Sequence, residues 1–443
     1  MLNFNFRKEL LYLDLLIIFT LIILFIKFFI LHPIYPLHDE IIVIERFTKW
    51  WSFLWRNGVA NHTINSFFSV IIKSIFGYNF LFYRFISFFF FSLILLIFRK
   101  LYPNLIAYCI FIIIILSSQL LTNYIFIFRG YYSFAFLTAL NFLFLKKFIL
   151  NKCDNKNFKI LLLINLVMIC HSVFTLYIAI PVLFSLFFIL YKKFTLNKVK
   201  LFFIFFIIPL FSFYFFIIIL EGFTIIYWEN LNIKFFLKNF FKISLDGFIP
   251  GFKTIFFNSH YDNHRSEGNF ILNFYNSLIS PSDSMVLKQY TIFIIYLISY
   301  FILVYKIFIK KFNYLDLTLI NILLFFYIIH LIPDPRVHVG ICFFYIFYIF
   351  ENTFNFFKKN LFNNKFSIFF IFILFIFLIN IKSDKNFYQT KTIIDKINSL
   401  KNIYSCKEFN KELTEYEIWI VKNYYPNLCN SYYDFKNQIN VIY

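Results

Sequence analysis

Apolar residues run through this chain in blocks of about twenty, separated by short stretches where lysine, arginine, asparagine and proline collect. A helix rising about 1.5 Å per residue needs about twenty residues to cross a hydrocarbon layer some 30 Å thick. Blocks of that length lie near 11–31, 79–98, 104–126, 131–150, 200–220, 289–309, 314–332, 337–356 and 366–381. The run 158–191 is longer than one crossing needs and is interrupted by Cys170-His171-Ser172, so it reads as a tight pair turning there. The pattern predicts an all-α polytopic membrane protein of about eleven spans.

Two segments keep a helical rhythm but are too short and too polar to span. In the first, Ile44, Phe47, Trp51, Leu54 and Trp55 share a face, with Glu45, Lys49, Ser52 and Arg56 on the other. In the second, Ile64, Phe67, Phe68, Ile71, Ile72, Ile75 and Phe76 share a face opposite Ser66, Ser69 and Lys73. Amphipathic helices of this kind lie in a membrane interface. The expected plan is a transmembrane domain over 1–381, with a first outer loop at 32–78 carrying both interfacial helices. A large outer loop at 221–288 and a small helical extracytoplasmic tail at 382–443 complete it, the tail marked by Ile393, Ile394, Ile397 and Leu400. The first apolar run carries Lys27 and lacks a small-residue cleavage site, so it reads as an uncleaved signal-anchor.

Composition agrees. Of 443 residues, 61% are hydrophobic and 14% charged, with a mean hydropathy of +0.75, which excludes an ordinary soluble domain. The net charge of +20 would suggest nucleic acid in a soluble protein, but here its placement matters more than its sum. The basic clusters are Arg7-Lys8, Arg99-Lys100, Lys146-Lys147 with Lys152 and Lys156, Lys192-Lys193 with Lys198 and Lys200, Lys310-Lys311, and Lys358-Lys359 with Lys365. All lie in short loops between apolar runs. With the split at 170–172, all fall on one side, as the positive-inside rule requires. Nucleic acid is therefore not an expected partner, and membrane lipid is. Cys109, Cys170 and Cys342 sit in apolar runs as buried apolar residues, whereas Cys406 and Cys429 share the exported tail and are expected to pair.

Charged residues at the outer ends of the spans bear most directly on chemistry. Asp39-Glu40 follows the first span, where a carboxylate pair can act as a general base or ligate a metal. Arg84 lies one turn into the second span, and Arg129 at the outer end of the third, in Arg129-Gly130-Tyr131. Arginine suits bidentate contact with phosphate. Arg336, in Pro333-Asp334-Pro335-Arg336, is a third phosphate-binding candidate. In the large loop, His260-x-Asp262-x-His264 presents alternating ligands to a divalent metal ion; no cofactor is otherwise indicated.

The ordered set of a long first span, Asp39-Glu40, two interfacial helices, Phe76-Gly77 leading to Arg84, Leu116-Ser117-Ser118, Arg129-Gly130-Tyr131 and a paired span with His171 at its turn resembles the GT-C superfold of membrane glycosyltransferases. Within it the likeness is to the protein O-mannosyltransferase and aminoarabinose transferase branch, over roughly residues 10–220. The chain departs from that pattern at Ile41-Ile42-Val43-Ile44, where a tyrosine is usual, and at Asn61-His62-Thr63, where a Pro-Pro is common. The resemblance implies transfer of a sugar from a polyprenyl-phosphate-linked donor to a lipid, glycan or protein acceptor on the outer face of a bacterial inner membrane. It implies Asp39 as base, Glu40 as an acceptor-positioning or metal-binding group, and Arg84 and Arg129 as stabilisers of the acidic pair or the departing phosphate. The alternatives are an O-antigen-type polymerase or ligase, and a transporter of lipid-linked sugar. The absence of an internal repeat counts against the transporter.

Overall fold

A computed structural model describes residues 2–31, 40, 62–77, 80–151, 153–190, 200–201, 204, 207–208, 290–329, 338–360 and 364–380. Among these residues all regular structure is helical. The described helices are α1 (Leu2–Phe25, continued by a π-helical turn at Ile26–Leu31), α2 (Thr63–Phe76), α3 (Phe80–Leu101), α4 (Leu105–Ser117), α5 (Gln119–Ile125), α6 (Tyr131–Leu150) and α7 (Asn155–His171). A 3₁₀ turn at Val173–Thr175 leads to α8 (Leu176–Leu190), followed by α9 (Tyr290–Phe308), α10 (Tyr314–Ile329), α11 (His338–Asn360) and α12 (Asn364–Asn380). Three segments, Leu10–Phe29, Leu81–Leu101 and Tyr131–Leu150, are long and apolar enough to cross a membrane, and the chain is a helical membrane protein on that ground.

Helix ends follow local chemistry. Asn104 caps α4 by accepting from the Ala107 amide at 2.9 Å, and Asp154 caps α7 by accepting from that of Asn157 at 3.2 Å. At the start of α10, Asn313 accepts from the Asp316 amide at 3.1 Å while Asp316 accepts from the Asn313 amide at 2.6 Å, a reciprocal cap. Ser118 divides the expected single run 104–126: it ends α4 and caps α5 through the Leu121 amide. The run 158–191 breaks after His171, and α8 sets off again at Leu176.

Side-chain contacts fix the helix directions. Tyr177 meets Phe325 while Ser185 meets Asn321, so α8 and α10 are antiparallel. Phe142 packs on Phe344 and Phe347, and Lys146 reaches Glu351, so α6 and α11 run in the same direction. A Cβ on Gly340 would overlap the Phe134 ring, and its absence is what lets these two helices approach. At one end of the bundle three ion pairs tie the helices together: Arg99 with Asp14, Lys146 with Glu351, and Lys306 with Asp316. This is the end at which α3, α6 and α9 stop and α4, α7 and α10 begin, so Arg99-Lys100, Lys146-Lys147 and Lys310-Lys311 gather there. Glu40, Arg84, Arg129 and His171 collect at the opposite end.

The second amphipathic segment is the helix α2, and it packs along α3. Phe76 stacks on Phe82 with ring centroids 3.8 Å apart, and Phe68 meets Phe90 at 6.2 Å. Moving back eight residues along α2 thus matches moving forward eight along α3, so the two form an antiparallel hairpin. Its tip is Gly77, at φ 62°, in the left-handed region glycine tolerates. The buried face of α2 carries Asn65, Ser66 and Ser69 together with Val70 and Ile72, while Phe67, Ile75 and Phe76 are exposed. In lipid the apolar stripe is satisfied outside and the polar stripe must find partners inside. The first amphipathic segment, the loop 221–288, the tail 382–443 with Cys406 and Cys429, and most of 200–220 lie outside the described residues.

Candidate functional site

The turn Ile127–Gly130 between α5 and α6 is the hub. Its carbonyl at Ile127 accepts from Ser87 Oγ of α3 at 2.7 Å, which fixes it against the second helix of the hairpin. Its amide at Phe128 points the other way and donates to Glu40 Oε1 at 2.6 Å. Glu40 is fully buried, and so is most of Arg84, which is 4% exposed. Arg84 Nε donates to Oε1 at 3.0 Å and Nη2 to Oε2 at 2.7 Å, a two-pronged contact that a planar guanidinium makes and an ammonium cannot. Both carboxylate oxygens are therefore engaged. Three hydrogen bonds to a charged group offset part of the desolvation of the pair.

This geometry assigns Glu40 a definite place. It is the strut that joins the segment after α1 to the turn before α6 through α3. Asp39 is its neighbour in the chain and lies outside the described residues, as do Arg336, His260, Asp262 and His264. Among the described residues, no three His, Cys, Asp or Glu side chains converge closely enough to hold a metal ion. Arg129 stands in the hub turn itself, 8% exposed, directly before the first residues of α6.

A second polar group lies beside the first. His62, the residue preceding α2, packs on Gly130, the residue preceding α6; a Cβ on Gly130 would overlap the His62 side chain. His171, closing α7, accepts from the Ile64 amide through Nδ1 at 3.3 Å. An amide N–H can only donate, so the imidazole carries its proton on Nε2, which lies 2.9 Å from Ser133 Oγ. Ser133 Oγ in turn lies 2.7 Å from Asn65 Oδ1. Thr63 Oγ1 donates to the Cys170 carbonyl at 2.6 Å, a second link between α2 and α7. The first turn of α2 is thus fastened to α6 and α7 by its own polar stripe.

Sequence reasoning singled out Glu40, Arg84, Arg129 and the His171 turn, and the structure brings all four to one end of the bundle. It passed over Asn65 and Ser133. The signal was available: Asn65, Ser66 and Ser69 recur at helical spacing inside an otherwise apolar segment, and in a membrane such a stripe faces inward. His338, two residues after Arg336, is also buried, with Nδ1 2.7 Å from the Tyr296 hydroxyl between α9 and α11. No protein-family model, curated protein or solved structure matches this chain.

Proposed function

We propose that the chain is a membrane glycosyltransferase that moves a sugar from a polyprenyl-phosphate-linked donor to a hydroxyl acceptor. In this reading about eleven spans cross a bacterial inner membrane, with the lysine-rich end of the bundle facing the cytoplasm and the Glu40–Arg84 end facing outward. The observation that carries the reading is the meeting of Glu40, Arg84 and the turn before Arg129. Three stretches far apart in the chain, each singled out by its charge, come together beside the one acidic pair that follows α1.

The chemistry assigned to these groups is simple. The Asp39 carboxylate takes the proton of the acceptor hydroxyl as its oxygen attacks the anomeric carbon. The bond from that carbon to the phosphate oxygen breaks, and the electron pair leaves with the polyprenyl phosphate. Glu40, engaged by Arg84 and the Phe128 amide, is a positioning residue that fixes the segment carrying Asp39. Arg129 stabilises the charge that grows on the phosphate. A divalent cation enters the reading only through His260, Asp262 and His264.

The decisive test is Asp39→Asn in purified protein, assayed for sugar transfer from a polyprenyl-phosphate donor. A positioned base is typically worth about 10²–10⁴-fold, so transfer should fall by that factor while expression and membrane insertion are unchanged. Transfer near the wild-type rate would remove Asp39 as the base and with it this mechanism.

A further inference from the structure

The helices α3 and α6 run side by side in the same direction: Phe91 meets Tyr132 nearer their starts, and Tyr102 meets Lys146 where they stop. They carry two of the three described segments long enough to cross a membrane, Leu81–Leu101 and Tyr131–Leu150. On α3, Phe85, Phe89, Leu96 and Lys100 share one face at helical spacing, and all are exposed. On α6, Leu140, Phe144 and Lys147 share a half-buried face. Each helix thus turns outward an apolar stripe that ends in a lysine.

The two lysines meet. The Lys147 ammonium is in contact with that of Lys100 and within electrostatic reach of Lys156, in the first turn of α7. Lys147 Nζ also stands 5.1 Å from the centre of the Phe144 ring, which keeps the charge at the edge of the hydrocarbon. Neighbouring cations of this end have counter-charges of their own. In Arg99-Lys100 and Lys146-Lys147 the first residue is taken by a carboxylate, Asp14 and Glu351 respectively, and the second is left to the cluster. Asp316 holds Lys306, and Asp154 accepts from Asn157 through both of its oxygens. Long side chains let like charges move apart. Ammonium groups held together at a hydrocarbon edge call for an anion between them.

We propose that Lys100, Lys147 and Lys156 seat the headgroup phosphate of an anionic phospholipid, with an acyl chain lying along the stripes of α3 and α6. One phosphate presents several oxygens, so it can meet ammonium groups that arrive from three helices. Anionic lipid attracts lysines at the membrane surface. The apolar stripes that lead away from the cluster select lipid over a soluble ion as the source of the phosphate. The site lies at the opposite end of the bundle from Glu40 and Arg84. It is therefore separate from the donor's place in the transferase reading and does not rest on that reading. Nor does it depend on which side of the membrane this end faces.

Native mass spectrometry of the full chain in detergent, titrated with phosphatidylglycerol or with phosphatidylcholine, measures the bound lipid directly. Phosphatidylglycerol should bind, and phosphatidylcholine, whose choline cancels the phosphate charge, at least about tenfold more weakly. Lys100→Gln with Lys147→Gln keeps most of both stems and removes two charges, and should weaken phosphatidylglycerol binding by about thirtyfold. Lys310→Gln with Lys311→Gln removes the same charge from the same end away from the cluster, and should leave that affinity unchanged. Thermal unfolding supplies a readout of opposite sign. In phosphatidylcholine nanodiscs the variant at 100 and 147 should be at least as stable as wild type, because a contact between like charges is gone. With phosphatidylglycerol added, wild type should gain stability and that variant should not. Equal weakening by the two double variants would make the attraction a general field and overturn the site, as would equal binding of the two lipids. Displacement of bound phosphatidylglycerol by glycerol 3-phosphate, which carries the phosphate and no chains, would make the ligand a soluble anion and overturn the lipid.

Discussion

Replacing Glu40 by glutamine keeps the size of the side chain and removes its charge. Oε1 still accepts from Arg84 Nε and the Phe128 amide, but the new amide N–H₂ now faces Arg84 Nη2, which at 2.7 Å is also a donor. The guanidinium is left buried without its counter-charge. Removing one partner of such a pair typically costs about 3–5 kcal/mol. Unfolding entropy scales at about 2.1 cal/mol/K per residue, so for 443 residues the denominator is about 0.9 kcal/mol/K and Tm should fall by roughly 3–5 °C. Thermal unfolding in detergent, followed by the loss of monodisperse protein on size exclusion, measures it. The double variant Glu40→Leu with Arg84→Met removes both charges and should recover most of the loss, since a matched apolar pair leaves nothing unsatisfied. A shift below about 1 °C for Glu40→Gln, or a double variant worse than the sum of the singles, would refute the buried strut.

Gly130→Ala should destabilise strongly, because its Cβ meets the His62 Cβ, and a screen for restored stability should return glycine at position 62, the one residue without that atom. Between α6 and α7, Asn141 and Asn165 exchange amide hydrogen bonds at 3.1 and 3.0 Å. Asn141→Leu alone should cost about 1–3 kcal/mol by stranding Asn165, whereas the paired leucine variant should come close to wild type in the same unfolding assay. For the topology, cysteines introduced at 262 should react with an impermeant label from outside intact cells, and cysteines at 154 and 195 should not; labelling at 195 would break the alternation of spans.

The helices were legible because their signal is coarse. Apolar runs and basic loops survive any error of a few residues, so α3, α6 and the break before α8 fell where the periodicity placed them. The function of individual charges was less legible. Arg84 read as a stabiliser of the acidic pair or of the departing phosphate, and in the structure its guanidinium meets Glu40. The partners of α2 were not legible for a physical reason: an amphipathic moment states that two faces differ and not which one is inside. In water the apolar face of α2 would turn inward and the helix would lie on a surface. In the structure Asn65 meets Ser133 of α6, Thr63 meets the Cys170 carbonyl of α7, and the helix packs antiparallel to α3. Ser118 shows the complementary limit, since one serine inside the run 104–126 was enough to end a helix and start another.

The buried polar residues of α2 bear on the order in which the protein is made. Asn65 leaves the ribosome well before His171, and the intervening 106 residues (171 minus 65) take roughly 5–20 s to synthesise. For the first 68 of those residues (133 minus 65) the hairpin of α2 and α3 has no Ser133, and for all of them no His171, to receive its polar stripe. A nascent chain that stops after Leu101 should therefore leave a cysteine at position 66 open to water-soluble reagent, and one that extends past Leu190 should close it.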